Sequence, residues 1–225
     1  VEGSYMPCFL AGVAVAKSLA AALGVPCHEV SHQQRHVAAA LWSAGRMDLM
    51  DKPHLAWHLS GGTTELLSIT PEGKNVRAEK IGGTSDISAG QIMDRTGKLL
   101  ALPFPAGKAL DQLSQGVDVK PFRVKTQGLT FSLSGLENQV AAFYQRTNSP
   151  EETAAFAVLS VCDVVLRTTR EAQKQYPGLE VVFSGGVASN VTLRRVCGFG
   201  VFAAPQFSTD NAMGVAVLAE RLSQG

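Results

Sequence analysis

The sequence predicts an α/β chain with a candidate division into two lobes, and three observations bear on that reading. Helical patterns alternate with short apolar strand patterns along the chain. HLSGG at His58 to Gly62 is echoed by VFSGG at Val182 to Gly186, each an apolar strand running into Ser-Gly-Gly. A polar stretch from Ser114 to Thr130, punctuated by glycine and proline, lies between them and marks the expected boundary, with lobes at 1–113 and 114–225. The echo has two readings. Two lobes can each offer a glycine turn whose backbone N–H groups approach a phosphate closely, or the turns are unrelated.

The elements follow in order. Pro7 and FLAGVAVAKSLAAALG read as a helix apolar nearly all round, ending at Gly24. Its composition predicts a buried helix. Lys17 interrupts the apolar run from Cys8 to Val25, which argues against a membrane span. PCHEVS is a short strand-like link. Ser31 is a good N-cap for a helix running through HQQRHVAAALWSAG to Gly45. HLAWHLSGGTTELLSITPEG alternates apolar and polar residues around Ser-Gly-Gly, the pattern of a two-stranded hairpin. SAGQIMDRTGKLLAL is helical and stops at Pro103. SPEETAAFAVLSVCDVVLRTTREAQKQYPG is a long amphipathic helix, with Ser149 and Glu152 as a capping box. LEVVFSGGVASNVTLRRVC gives a strand, a Gly-Gly turn and a helix start. STDNAMGVAVLAERL is a final helix.

The bulk numbers bound the function. A chain of 225 residues with 45% apolar and 17% charged content reads as an ordinary globular protein. A net charge of +1 supplies no global field for nucleic acid or an anionic membrane, so such a partner is met locally or through other chains. Cys8, Cys27, Cys162 and Cys197 form no C-x-x-C pair and sit in apolar surroundings; they read as buried thiols suited to a reducing cytoplasm. The chain opens on Val1 and enters an apolar helix at once, so it is expected to start inside a domain.

Four places carry candidate chemistry. His32 and His36 are four apart on a helix, so their imidazoles can face one ion, or they are two surface histidines on one face. Gln33 stands where an H-E-x-x-H peptidase has its general-base glutamate, which removes most support for a zinc peptidase. SGGVASN from Ser184 to Asn190, with Gly185 and Gly186 at its turn, can receive a phosphate at a helix start or be an ordinary strand-to-helix turn. Asp210 is a helix N-cap, or the oxygen ligand that completes a His-His-Asp site suited to iron or zinc. Asp94, inside a helical stretch, is a solvated aspartate or an acceptor for a ribose hydroxyl pair.

Taken in order, AGVAVAKSLAAALGVP, the H-x-x-x-H pair, LSGGTTEL, GQIMDRTGKLLALPFPAGKAL, LTFSLSGLEN, VVFSGGVASNVTLRR and FSTDNAMGVAVLAERL resemble the tRNA threonylcarbamoyl transferases of the TsaD type, formerly described as O-sialoglycoprotein endopeptidases. The resemblance runs from about Leu10 to Glu220. It implies an actin-like ATPase fold, two lobes around a nucleotide cleft, with the N-terminal part of the first lobe missing. It implies transfer of a threonylcarbamoyl group from threonylcarbamoyl-adenylate to the exocyclic amine of the adenosine beside the tRNA anticodon. It places metal ligands at His32, His36 and Asp210, for iron or zinc, and adenine-nucleotide contacts at His58, Leu59, Ser60, Gly61, Gly62, Asp94, Gly107 and Asn190. It also implies a homologous partner subunit, an ATPase subunit, tRNA met through the complex, and a cytoplasmic location.

The chain departs from the family's pattern. Gln34 and Arg35 replace the glutamate and small residue of H-M-E-G-H, Thr63 replaces the histidine of S-G-G-H-T-Q, and Gln91 replaces the glutamate of G-E-A-F-D-K. Losing these polar groups while keeping the metal ligands suggests a divergent paralogue. A second function therefore stands beside transfer: a non-catalytic module that binds nucleotide, metal and a partner.

Overall fold

The computed structural model describes residues 7–209 and 211–224. Its centre is one seven-stranded sheet. The strands are His54–Leu59 (β1), Thr64–Glu72 (β2), Asn75–Thr84 (β3), the two-residue Thr126–Gln127 (β4) and Thr130–Phe131 (β5), Val181–Ser184 (β6) and Val201–Phe202 (β7). Their spatial order is β4-β5-β3-β2-β1-β6-β7. β1, β2 and β3 form an antiparallel meander, whereas β1 pairs with β6 in parallel, in the register His58 to Ser184. The sheet draws strands from both sides of residue 114.

Helices cover both faces. Pro7–Leu23 (α1) and His32–Ser43 (α2) precede the sheet; Ala89–Leu99 (α3), Gly107–Leu113 (α4), Ser134–Thr147 (α5) and Pro150–Gln175 (α6) follow β3; Val191–Val196 (α7) and Met213–Ser223 (α8) close the chain. Alternation along β1 divides the core. Leu55, Trp57 and Leu59 pack with Ile92 of α3 and Val158, Val161 and Val165 of α6, while Ala56 packs with Val37 and Leu41 of α2 and Leu218 of α8. Each large side chain buried this way contributes about 1.5–3 kcal/mol. Trp57 is fully buried, and its indole N–H donates to Thr169 Oγ1 at 2.8 Å.

Several helix ends lie where the residues signal them. Gly24 and Gly45 take positive φ just past α1 and α2, and Ser149 accepts from Glu152 N at the start of α6. Other expectations need correction. α1 is not buried: Leu10, Val15, Leu19 and Leu23 are each more than half exposed, and no other element covers them among the described residues. Apolar composition shows that a helix favours a cover, not that one is present. Cys27 is likewise exposed, although Cys162 and Cys197 are buried. Burial raises both of those thiols, Cys197 to about 11, so they are unreactive hydrophobes rather than nucleophiles. The hairpin has a third strand, β3, and α5 is a full helix. α8 begins at Met213, whose N–H bonds Asn211 Oδ1. No helix among the described residues is long and apolar enough to cross a membrane.

Asp86 ties the end of β3 to the start of α5. Its carboxylate accepts from Thr84 Oγ1 at 3.0 Å, from Ser132 Oγ, and from the amides of Leu133 and Ser134 at 2.8 and 3.3 Å. Burial opposes its ionisation, but the Ser132 hydroxyl and the Leu133 and Ser134 donors hold the carboxyl well below the usual carboxylate range. A folded-state value depressed below the unfolded one gives stability that is complete above about pH 4 and is lost as pH falls through the folded value. Asp86→Asn is therefore expected to lower the melting temperature at pH 7 and to flatten its decline below about pH 4, as read by thermal unfolding across a pH series. An unchanged acid limb would count against this role.

Candidate functional site

β1 and β6 run side by side, so the two Ser-Gly-Gly turns that follow them emerge together at one end of the sheet. They open onto a cleft of about 930 Å³ lined by Ser60, Gly61 and Gly62 from one turn and Gly186 and Val187 from the other. Backbone contacts require glycine here. Gly185 has φ +92, and a Cβ on it would lie 2.2 Å from Leu59 O. A Cβ on Gly90 would lie 2.5 Å from Gly61 Cα, because the start of α3 presses on the first turn. That turn is held by Gly90 N donating to Ser60 O at 3.2 Å and Ser88 Oγ donating to Gly61 O at 2.6 Å. Ser60 Oγ accepts from Gly62 N and Thr63 N, so Gly61 carries the one amide of Ser60, Gly61 and Gly62 with no acceptor among the described residues. The Gly186–Ser189 3-10 turn offers its own first amides.

The opposite wall is imidazole. Ser31 caps α2 through Gln34 N, which sets His32 in the first turn and His36 one turn further in. His58 continues the row of Ala56 on β1 and therefore points toward α2 rather than α6. The ring centroids are 4.6 Å apart for His32 and His36, 4.2 Å for His36 and His58, and 5.4 Å for His32 and His58. One nitrogen from each ring falls within 4.8 Å of the others, so the three can converge on one cation. His36 and His58 are buried and His32 is exposed. Arg35 Nη2 donates to His32 Nδ1 at 2.8 Å. Guanidinium has no acceptor, so this bond assigns the Nδ1 lone pair to Arg35 and competes with a metal for His32.

The expected residues sort as follows. His32, His36, His58, Ser60, Gly61, Gly62, Asp94, Gly107, Gly186 and Asn190 all line the one cleft. Leu59 is fully buried in the core and contributes backbone only, and Gly185 supports the second turn from behind. Asp210 lies outside the described residues. Asp94 accepts from Ala106 N at 2.9 Å, which anchors its carboxylate beside Gly107. Asn190 caps α7 by accepting from Leu193 N, and its amide donates to Asp111 Oδ1 at 2.8 Å. Lys108 and Asp111 also line the cleft and escape the sequence reading. The spacing of Gly107 to Asp111, one helical turn, was the available signal.

Gln34 and Gln91 change meaning in the structure. Each is the third residue of its helix and accepts from the N-cap serine's N–H: Ser31 N to Gln34 at 2.7 Å and Ser88 N to Gln91 at 3.0 Å. These are capping boxes, a role that glutamate or glutamine fills equally. Gln34 Nε2 also donates to Val76 O at 2.7 Å, a bond no carboxylate makes. Neither residue lines the cleft, so neither is a polar group lost from it.

A family profile described as TsaD, tRNA N6-adenosine threonylcarbamoyltransferase, matches residues 3–217. A tRNA N6-adenosine threonylcarbamoyltransferase of Streptococcus suis (strain 05ZYH33) is 34% identical over 83% of this chain and 56% of its own length. One from Christiangramia forsetii is 30% identical over 94% of this chain and 67% of its own length. The chain thus spans a little over half the length of the first of these relatives. Among solved structures, T. kodakarensis HypF superposes with a TM-score of 0.69 at 16% identity, over 95% of this chain and 39% of that one. A full-length HypF in a phosphate- and nucleotide-bound form gives 0.69 at 15% identity, over 92% and 45%. These likenesses place the chain in the actin-like ATPase fold.

The turn geometry makes one clear demand. Gly185→Ala is expected to cost at least about 1–3 kcal/mol from positive φ alone, with the clash at Leu59 O added, and to lower the melting temperature accordingly. Gly107→Ala, where a Cβ meets nothing within 4 Å, is expected to leave it nearly unchanged. Equal effects in the two variants would contradict the packing of the second turn.

Proposed function

The chain belongs to the TsaD family of tRNA N6-adenosine threonylcarbamoyltransferases, and we propose that it carries the adenylate- and metal-binding part of such an enzyme. The observation that carries this reading is the convergence of two glycine turns, anchored Asp94 and a histidine cluster on one cleft. The substrate is threonylcarbamoyl-adenylate, and the acceptor is N6 of the adenosine beside the tRNA anticodon. N6 attacks the carbamoyl carbon, the bond from that carbon to the phosphate oxygen breaks, AMP departs and N6 loses a proton.

Each group has a role its chemistry allows. Gly61 N–H and the first amides after Gly185 donate to phosphate oxygens, and Lys108 offsets the charge that gathers on departing AMP. Asp94, already fixed by Ala106, has acceptor capacity left for ribose hydroxyls. Asn190 keeps a second amide hydrogen for the nucleoside, while Asp111 fixes its orientation. His32, His36 and Asp210 are the proposed ligands of one divalent metal, iron or zinc. When bound there, a divalent metal would supply Lewis-acid polarisation of the carbamoyl oxygen, lowering the cost of charge on it during attack by the amine. A near-neutral chain meets tRNA through a complex with a homologous partner and an ATPase subunit, as the family reading implies.

A second reading, a nucleotide-binding partner module without transfer, draws on one observation: Arg35 occupies the Nδ1 lone pair of His32. The two readings part in a single assay. The protein is incubated with threonylcarbamoyl-adenylate, unmodified tRNA and the partner subunits, and the tRNA is digested for mass spectrometry. Threonylcarbamoyladenosine in the digest is the expected result. Intact AMP binding without that product would replace transfer by the module.

A further inference from the structure

We propose that a second cavity, walled by phenylalanine and rimmed by cations, holds an unpaired nucleotide of the RNA strand, away from the cleft that takes the adenylate. The inference rests on the reading that this chain acts on tRNA, and adds a contact point on the chain's own surface.

The cavity encloses about 660 Å³ between α5, the start of α6 and the segment at 119–123, and it shares no lining residue with the cleft. Its size falls within the roughly 300–1,000 Å³ of small-ligand sites. Phe122, Phe143 and Phe156 line it. Phe156 is buried and stacks on Phe143, with ring centroids 4.3 Å apart and planes at 15°. The Arg146 guanidinium lies over the Phe143 ring, 5.2 Å from its centroid. Lys120, Arg123 and Arg146 are exposed at the rim. No carboxylate lines the cavity, and none of these three cations is ion-paired among the described residues. A net charge of +1 hides the cluster, because the cations are gathered locally.

α6 fixes the shape. Ser160, one turn after Phe156, donates to Phe156 O and accepts from Phe122 N at 2.9 Å. Arg167 Nη2 donates to Val124 O at 2.7 Å. Bonds on both sides of Arg123 thus hold this segment on α6 and leave the Lys120 and Arg123 side chains exposed. On α5, Gln139, Phe143 and Arg146 fall at four- and three-residue spacing, so one helical face presents an amide, a ring and a cation to the same space.

Those features select the ligand. Three cations without a counter-ion attract phosphate, while phenyl faces and a guanidinium plane stack an unpaired base. Gln139 offers a donor and an acceptor to a base edge. An acidic peptide would satisfy the cations and leave the rings without a partner. A duplex hides its base faces, so the occupant is a loop or an end of the strand.

The test is fluorescence anisotropy of a short fluorescein-labelled single-stranded RNA with the chain alone, at about 50 mM salt, where phosphate contacts are strong. Neither adenylate nor partner subunits are added, so the outcome is independent of transfer. The wild-type chain is expected to bind. Phe143→Leu keeps an apolar group in the core and is expected to weaken binding about 5- to 100-fold through loss of a stacking face. The triple variant Lys120→Gln, Arg123→Gln, Arg146→Gln is expected to reduce the slope of log affinity against log salt by about 2, at roughly 0.7 per phosphate contact on a single strand. Its melting temperature and its AMP affinity at the cleft are expected to stay unchanged. If Phe143→Leu does not fold, the salt slope of the triple variant decides alone. Equal affinity and slope in all three proteins, or competition by poly-glutamate as effective as by unlabelled RNA, would overturn the nucleotide site. Displacement of the RNA by a free mononucleotide at equal nucleotide concentration would assign the cavity to a small molecule and overturn the strand. Failure of the wild-type chain to bind RNA would also overturn the proposal, and would leave standing the transferase reading, in which tRNA is met through a complex.

Discussion

The parallel pairing of β1 with β6 is the constraint on which the site depends. Its register sets His58 beside Ser184, so both strands end at the same level and both Ser-Gly-Gly turns open into one cleft. The same register brings Ser184 Oγ between Trp57 O and His58 Nδ1, which fixes the imidazole facing α2. A slip of one residue would turn His58 into the layer of Leu55, Trp57 and Leu59 and send their side chains toward α2. Burial of that layer against α6 makes the register expensive to change, so the core of the sheet holds the chemistry in place.

Close backbone contacts extend that constraint outward. Gly185 passes over Leu59, Gly90 over Gly61, and a Cβ on Gly214 would fall 1.8 Å from Arg35 O, where α8 meets α2. Each contact sets backbone against backbone with no side chain between: the second turn on β1, the start of α3 on the first turn, and α8 on α2. Capping boxes at Ser31 and Ser88 then set where α2 and α3 begin, and hence where His32 and the end of the first glycine turn lie.

Much of this was legible in the sequence, and what was not has physical reasons. α6 was clear because an apolar stripe, a serine cap and an early proline agree. β3 was hidden because Arg77, Glu79 and Lys80 lie on its exposed part and Gly82 and Gly83 end it, which reads as a loop. α5 starts without a side-chain cap, so no signal marked it. The two histidines of HQQRH were visible through helical spacing, but the approach of His58 depends on strand pairing that spacing does not reveal. Gln34 and Gln91 read as lost carboxylates, although serine three residues before each was a capping signal. Recognised as caps, they no longer favour an inactive paralogue; Thr63 and Arg35, at the cleft and on His32, are the departures that still bear on activity.

Adenylate and metal are proposed to share one cleft, brought together by the pairing of β1 with β6. The most direct test is 31P NMR of AMP bound to the metal-free protein, followed as Co²⁺ is added. Strong paramagnetic broadening of the AMP phosphorus at one equivalent, reversed when Zn²⁺ displaces Co²⁺, is the expected result. A phosphorus signal that stays sharp while Co²⁺ is bound at the histidines would contradict it.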